Sequence, residues 1–266
     1  IRRGEVRLPI LILGYTPAEY AANMIFLDIT QEVHSLEYAR ELNEALAGTN
    51  YILNVHLKLD TGMTRIGFFA YDDERMLDEL RQVAQLPHLH IEGVFMHFCV
   101  ADSRAEADVS FTKLQYKRFM DMLSAMAGVG IRPEIRHCCN SGATILYPEF
   151  ALDMVRPGII TYGNAPSDEL EGALSLRPMM SLHSMIAQVG TVPAGTDISY
   201  GRLYRTKEET RVAVLPIGYA DGLSRLLTGK ASFYLQGHQV PVIGRICMDM
   251  CMIDVSNVPE AKPGDV

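Results

Sequence analysis

At 266 residues the chain is long enough for one large domain or two smaller ones, each with a hydrophobic core. Its 48% apolar and 21% charged residues are those of a soluble globular protein. A net charge of -8 with no basic cluster excludes a non-specific nucleic-acid surface, and no apolar run reaches the roughly 18–20 residues that a bilayer span needs.

In chain order, short apolar runs alternate with longer amphipathic ones over the first two-thirds. The pattern predicts a strand at Pro9–Leu13, a helix at Thr16–Asn23, a strand at Ile25–Ile29 and a helix at His34–Leu46. The strand Tyr51–Leu59 then runs into the most informative stretch, Leu57-Lys-Leu-Asp-Thr-Gly-Met-Thr-Arg-Ile-Gly-Phe68. An apolar strand here turns abruptly charged, offering Lys58, Asp60 and Arg65, with Gly62 and Gly67 allowing close backbone approach. In α/β proteins the carboxyl ends of strands are where ligands bind. A helix at Asp72–Gln85 and a strand at Ile91–His97 follow; His97 closes that strand and Asp102 comes after it. Next is a helix at Ala105–Met126, with Phe111, Leu114, Phe119, Met122 and Met126 near one face and Asp102 or Ser103 as its cap. The strand Glu134–His137 leads to Cys139-Asn-Ser-Gly142, a polar turn entering a helix, which is able to present the Ser141 hydroxyl and backbone N–H groups to a phosphate. The strand Asp153–Val155 ends in Arg156-Pro-Gly158-Ile159. Taken alone, His97 reads as a hydrogen-bonded core histidine, Ser141 as a helix cap and Arg156 as a surface ion pair. Together they place cations, a histidine and a serine at successive strand ends, the way barrel active sites are assembled. Six or more β/α units without a Gly-x-Gly-x-x-Gly fingerprint favour a partial TIM-type (β/α)8 barrel over residues 1–175.

Beyond residue 175 no long helix intervenes. Strands are predicted at Met179–Val189, Arg211–Ile217, Ala231–Leu235, Val240–Val242 and Met250–Val255, divided by turns such as Pro193-Ala-Gly195 and Gln236-Gly-His238. Residues 176–266 therefore read as an all-β domain. It contributes Ser199-Tyr200-Gly201, Ile217-Gly-Tyr219-Ala-Asp-Gly222 and Gly244-Arg-Ile-Cys-Met248-Asp249. Tyr200, in a loop of small residues, reads either as an exposed general base or as a packing side chain, and spacing does not decide between them. Five cysteines, two of them adjacent, suit a reducing compartment; Cys247 and Cys251 lack a second ligand pair, so no metal site is expected. Both ends read as cut from a longer protein. The chain opens Ile1-Arg-Arg-Gly-Glu5 without an initiator Met and stops at Lys262-Pro-Gly-Asp-Val266, where a strand pattern is starting.

The ordered series Lys58-Leu-Asp-Thr-Gly-Met-Thr-Arg65, His97-Phe with Ala101-Asp102, Asn140-Ser-Gly-Ala143, Met154-Val-Arg-Pro-Gly-Ile159, Ser199-Tyr-Gly201, Gly218-Tyr-Ala-Asp-Gly222 and Gly244-Arg-Ile-Cys-Met-Asp249 resembles that of the alanine racemases over essentially the whole chain. The resemblance implies an enzyme dependent on pyridoxal 5'-phosphate (PLP) that interconverts L- and D-alanine by two bases and supplies D-alanine for peptidoglycan. It implies a barrel that binds PLP, a carboxyl-terminal β domain and a homodimer in a bacterial cytoplasm, membrane-anchored if an upstream module exists. By the same resemblance Tyr200 is the catalytic tyrosine, and Tyr200 and Met248 reach the partner's site. Arg156 faces the pyridine nitrogen and His97 links that arginine to the tyrosine. Arg65 serves the cofactor's phenolic oxygen and the substrate carboxylate, and Lys58 is the lysine that is carbamylated in many members. Ser141, with backbone around Gly158 and Ile159, cradles the phosphate, and Tyr219 and Asp102 line the substrate entrance.

One departure matters. The family's Schiff-base lysine, in a Lys-Ala-Asn-Ala-Tyr-Gly context on the first barrel strand, occurs nowhere in this chain. It is expected upstream of Ile1, and the present chain by itself is expected to be inactive. A serine racemase of the same family and a catalytically degenerate PLP-binding homologue remain as other readings. A barrel-only PLP carrier would lack the β domain with Tyr200. A metal-dependent hydrolase would need a ligand cluster beside His97 and Asp102, and no such pattern is present.

Overall fold

Leu53–Asp60 is the longest strand of the molecule and organises its first part. The computed structural model describes residues 1–69 and 73–266, so Asp72, where a helix was predicted to start, lies outside the described residues. Five strands, β1 (Ile10–Ile12), β2 (Ile29–Val33), β3 (Leu53–Asp60), β5 (Leu89–Phe95) and β6 (Ile135–His137), lie side by side in that order, and all their pairings are parallel. The two-residue β4 (Phe68–Phe69) adds to β3. Helices α1 (Ala21–Phe26), α2 (Leu36–Ala45), α3 (Asp73–Ala84) and α4 (Glu106–Gly128) form the connections, and α5 (Ser141–Leu146) follows β6. This is a partial TIM-type barrel: a curled parallel sheet whose connecting helices bury one of its faces.

β3 is buried on both faces from Val55 to Asp60, as a central parallel strand must be. Val55, Leu57 and Leu59 join the core with Leu42 of α2, Leu80 of α3 and Phe119, Met122 and Met126 of α4. Successive side chains on a strand alternate in direction, so His56, Lys58 and Asp60 share the opposite face.

Four predictions needed correction here. The run at 25–29 is not a strand: Ala21 and Met24 bury one side of α1 up to Phe26, Asp28 reverses the chain at φ 51°, and β2 begins only at Ile29. A short apolar run carries no period long enough to separate helix from strand. The α4 cap position is Ala105, with no side-chain bond, while Ser103 Oγ accepts from the Ala105 amide at 3.2 Å. Along α4 the buried positions are Thr112, Gln115, Phe119, Met122 and Met126, whereas Leu114 is exposed. Of the predicted strand at 153–155, only a single parallel bridge from Met154 to His137 forms.

The contacts divide the chain into Ile1–Met179 and Met180–Val266. The second unit is all β. Strands β11 (Ser232–Leu235), β12 (His238–Ile243), β13 (Cys251–Asp254), β10 (Thr210–Leu215) and β7 (Gln188–Val192) form one antiparallel sheet in that order. Strands β8 (Asp197–Ile198) and β9 (Tyr204–Arg205) make a separate ribbon. Ala213, Leu215, Val240, Val242, Cys251 and Ile253 fill its core, so Cys251 is a buried small hydrophobe. The predicted strand at 179–189 is displaced to Gln188–Val192, because Met180, Leu182 and Met185 lie exposed without a strand neighbour.

Candidate active site

At the carboxyl end of β3 the Asp60 side chain folds the following turn around itself. Its Oδ1 accepts the amides of Gly62 (2.8 Å) and Met63 (3.0 Å), and its Oδ2 accepts that of Arg65 (3.2 Å). Asp60 is therefore the residue that places Arg65. Gly67, at φ 134°, lets the turn lie against β3: a Cβ there would stand 2.8 Å from the Lys58 carbonyl oxygen and 2.9 Å from the Asp60 nitrogen. Lys58 is 2% exposed, and its Nζ sits over the Phe95 ring at 5.6 Å from the centroid. Burial pushes its pKa down to about 8, with Arg65 and Arg156 pushing the same way against Asp60 and Glu32.

Arg156 is held at its amide and at both terminal guanidinium nitrogens. Its amide is held by the Cys139 carbonyl at 2.8 Å. One guanidinium nitrogen donates to the carbonyls of Met96 (2.7 Å) and Cys138 (3.2 Å) and stands 3.5 Å from His97 Nδ1. The other reaches His137 Nδ1 at 2.5 Å. The guanidinium lies over Phe95 at 5.1 Å, and the His137 ring stacks on the same phenylalanine at 4.8 Å. Burial lowers the Arg156 pKa to about 10, which leaves it charged at neutral pH. Burial, then Arg156, Arg65 and Lys58, holds His97 down at about 4, so its imidazole is neutral and surrounded by cations. Among the described residues no carboxylate forms an ion pair with Arg156.

Ser141 opens α5, whose cap is Asn140: its Oδ1 accepts the Ala143 amide at 3.0 Å, and its amide nitrogen ties the turn to the Phe98 carbonyl at 3.1 Å. Ser141 Oγ accepts the Gly158 amide at 2.9 Å, which leaves the hydroxyl proton to be donated. Around Gly158 there is open space, since a Cβ would meet nothing closer than Ser141 Oγ at 4.0 Å. Ile159 is exposed at the start of the next turn. Asp102 packs against Gly142, where a Cβ would stand 2.8 Å from the Asp102 Cβ, and its carbonyl accepts Ser167 Oγ at 2.7 Å.

In the second unit three loops converge. Ser199 Oγ donates to the Arg245 carbonyl at 2.7 Å. The amides of Tyr219 and Ala220 donate to the carbonyls of Cys247 (3.0 Å) and Met248 (2.9 Å). Ser199, Gly201 and Arg202 all have positive φ, so Tyr200 sits on a strained turn that these contacts hold. The three candidate side chains nevertheless face outward: Tyr200 is 69% exposed, Met248 54% and Tyr219 39%.

The first unit brings Lys58, an exposed Arg65, His97 and Arg156 into one electrostatic neighbourhood, with Ser141 and Gly158 joined to each other beside the backbone bond from Arg156 to Cys139. Sequence reasoning missed His137, His56 and Phe95. The i, i+2, i+4 spacing of His56, Lys58 and Asp60 was the available signal for His56. His137 was legible only as a strand terminus, because its partner Arg156 lies on another segment.

Comparison with known proteins agrees over the entire length. Residues 1–166 match the model of the alanine racemase N-terminal domain and residues 179–266 that of the C-terminal domain. The chain is 47% identical to an alanine racemase of Desulfovibrio desulfuricans, covering all of this chain and 70% of that protein. It is 43% identical to that of Clostridium tetani, covering all of this chain and 68% of that one. The crystal structure of alanine racemase from Bacillus anthracis with bound L-Ala-P superposes with a TM-score of 0.87 at 34% identity, over 99% of this chain and 67% of that one. With both domains matched in order and close relatives along its full length, the chain belongs to the alanine racemase family.

Proposed function

We propose that the full-length protein is a PLP-dependent alanine racemase that works as a homodimer and supplies D-alanine for peptidoglycan. The observation that carries this reading is the half-buried guanidinium of Arg156, fixed by carbonyls and imidazole nitrogens and grouped with Arg65 and Lys58 around a neutral His97. This donor set fits an anionic, phosphorylated cofactor, and the Ser141 hydroxyl beside the open space at Gly158 fits its phosphate. Arg156 would face the ring nitrogen, Arg65 the phenolic oxygen, and Ser141 with the backbone near Gly158 and Ile159 the phosphate. When bound, PLP delocalises the charge left at the α-carbon after proton removal.

The chain's residues do the rest. Arg156 only donates, so a ring nitrogen facing it stays unprotonated, which restrains charge delocalisation and suppresses side reactions such as transamination. Arg65, placed by Asp60, binds the substrate carboxylate. With its pKa lowered to about 8, Lys58 is about half neutral near pH 8, and the neutral amine is the form that adds carbon dioxide, which supports its carbamylation; the modified group would brace Arg65. Tyr200 removes or returns the α-proton on one face, and a lysine serves the other. The exposure of Tyr200 and Met248 fits their delivery to a second subunit's site, with Tyr219 and Asp102 at the entrance. None of the chain's six lysines, at 58, 113, 117, 207, 230 and 262, stands in the family's cofactor-lysine context. Among the described residues no helix is long and apolar enough to cross a membrane.

The test is D/L interconversion of alanine and of serine by the full-length protein with PLP. Alanine turnover that Tyr200→Phe abolishes, with PLP binding retained, is the expected result. Preferential serine turnover moves the protein to the serine branch, and no turnover of either makes it a degenerate homologue.

A further inference from the structure

The geometry points to Glu92 and His56 as positioning residues for Arg156: a one-way chain of hydrogen bonds, Arg156 to His137 to His56 to Glu92, carries a carboxylate's compensation to the half-buried guanidinium. The inference rests on the reading above that Arg156 faces the cofactor.

The direction of the chain follows from donor chemistry. A guanidinium has no acceptor, so the 2.5 Å contact makes His137 Nδ1 the acceptor. Neutral His137 then carries its proton on Nε2, which lies 2.8 Å from His56 Nδ1. His56 Nδ1 accepts, its own proton is on Nε2, and that atom lies 3.2 Å from Glu92 Oε2. One set of tautomers satisfies all three contacts. Thr30 Oγ1 donates to the same carboxylate oxygen at 3.1 Å from β2. Burial, then Arg156 and His56, holds His137 down at about 2, and burial likewise lowers His56 against the pull of Glu92, so both rings are neutral.

The path is built into the fold. His56 is 2% exposed and His137 fully buried. The β3–β5 register shifts between Val55 and His56, and Gly93 opposes His56. A Cβ on Gly93 would stand 2.4 to 2.5 Å from three atoms of the His56 ring, so the missing side chain is the space that the imidazole fills. Phe95 closes the other side by stacking on His137 and lying under Arg156. Charge that no direct ion pair supplies thus reaches Arg156 through two neutral rings, each polarised toward the carboxylate.

The test uses the full-length protein with PLP, in two measurements. Nitrogen-15 NMR of labelled histidines at pH 7 should show His56 and His137 both neutral and protonated on Nε2; a proton on Nδ1 of either ring reverses the chain and overturns the proposal. Glu92→Gln, which keeps the shape and removes the charge, should lower kcat for alanine roughly tenfold, the order set by losing one charge-assisted hydrogen bond. KM should stay within about twofold, because Arg65 rather than Arg156 meets the carboxylate. An unchanged kcat, or a change confined to KM, overturns it. If Glu92→Gln does not fold, Thr30→Val and Gly93→Ala, which loosen the carboxylate and displace the His56 ring, must lower kcat in the same selective way. A wild-type protein that does not racemise ends the racemase reading, while the two imidazole tautomers still decide the relay.

Discussion

The two units prepare their side chains in opposite ways. In the barrel unit three groups are packed inward and interlocked, while Arg65 stays exposed: Lys58 is 2% exposed, His137 is fully buried, and the half-buried Arg156 is held by carbonyls and imidazole nitrogens. In the β unit the loops are stitched together backbone to backbone, yet Tyr200, Tyr219 and Met248 are displayed outward. The barrel unit ties Lys58, His137 and Arg156 to neighbours of its own. The β unit fixes the positions of its loops, covers the Tyr219 ring with Arg225 at 5.5 Å, and leaves the Tyr200 and Met248 side chains exposed, as delivery to a second subunit would require.

The sharpest way to break this contrast is Tyr200→Phe. An exposed hydroxyl contributes little to folding, so the thermal midpoint should hold while racemisation falls by about 10²–10⁴-fold or more. A clear loss of stability, or near-normal activity in both directions, would contradict the description of Tyr200 as a displayed base. Next is Gly218→Ala. Its Cβ would stand 2.2 Å from the Met248 carbonyl oxygen and 2.4 Å from that of Cys247, both backbone atoms. Forcing those loops apart should cost about 1–3 kcal/mol, read from denaturant unfolding, and should disturb Tyr219 and Met248 together; a neutral substitution would show that the loops are not stitched.

In the barrel unit, Asp60→Asn replaces one of the acceptors that hold the Gly62, Met63 and Arg65 amides with a donor. The loss of a charge-assisted bond is worth about 1.5–3 kcal/mol, and alanine KM should rise by about tenfold or more with a smaller change in kcat. An unaltered KM would mean that Arg65 does not depend on this turn.

The smallest effect is a pH signature. Unmodified Lys58 releases its proton at about 8 in the folded chain rather than at its ordinary 10.5. Between those values the unfolded state binds more protons, so stability rises with pH there; below about pH 8 the cost of burying the charge is present in full. Lys58→Met should flatten that rise in unfolding curves collected from pH 7 to 10.5, and an unchanged slope would remove the buried, depressed lysine from the account.

Much of this was legible in the residues. The alternation of strands and helices, the charged turn after β3 and the all-β second unit follow from period and turn chemistry, which are local, whereas the α5 cap fell on Asn140 and not on Ser141 as the residue read alone. The strand edges drifted where local patterns compete, as at 25–29, where one apolar run serves the end of a helix and the approach to a strand. Arg156 read alone was an ordinary surface pair. Its partners lie at 96, 97, 137 and 138, and only the parallel order of β3, β5 and β6 brings them within hydrogen-bonding range.

By itself the sequence determined which chemistry the strand ends carry, because residue type and spacing are properties of the chain. The tertiary structure decided which of those groups share a proton network. His56, Glu92, His137 and Arg156 sit on four different segments. The order and register of those segments, together with the space left by Gly93, set the distances at which one histidine's acceptor meets the next one's donor.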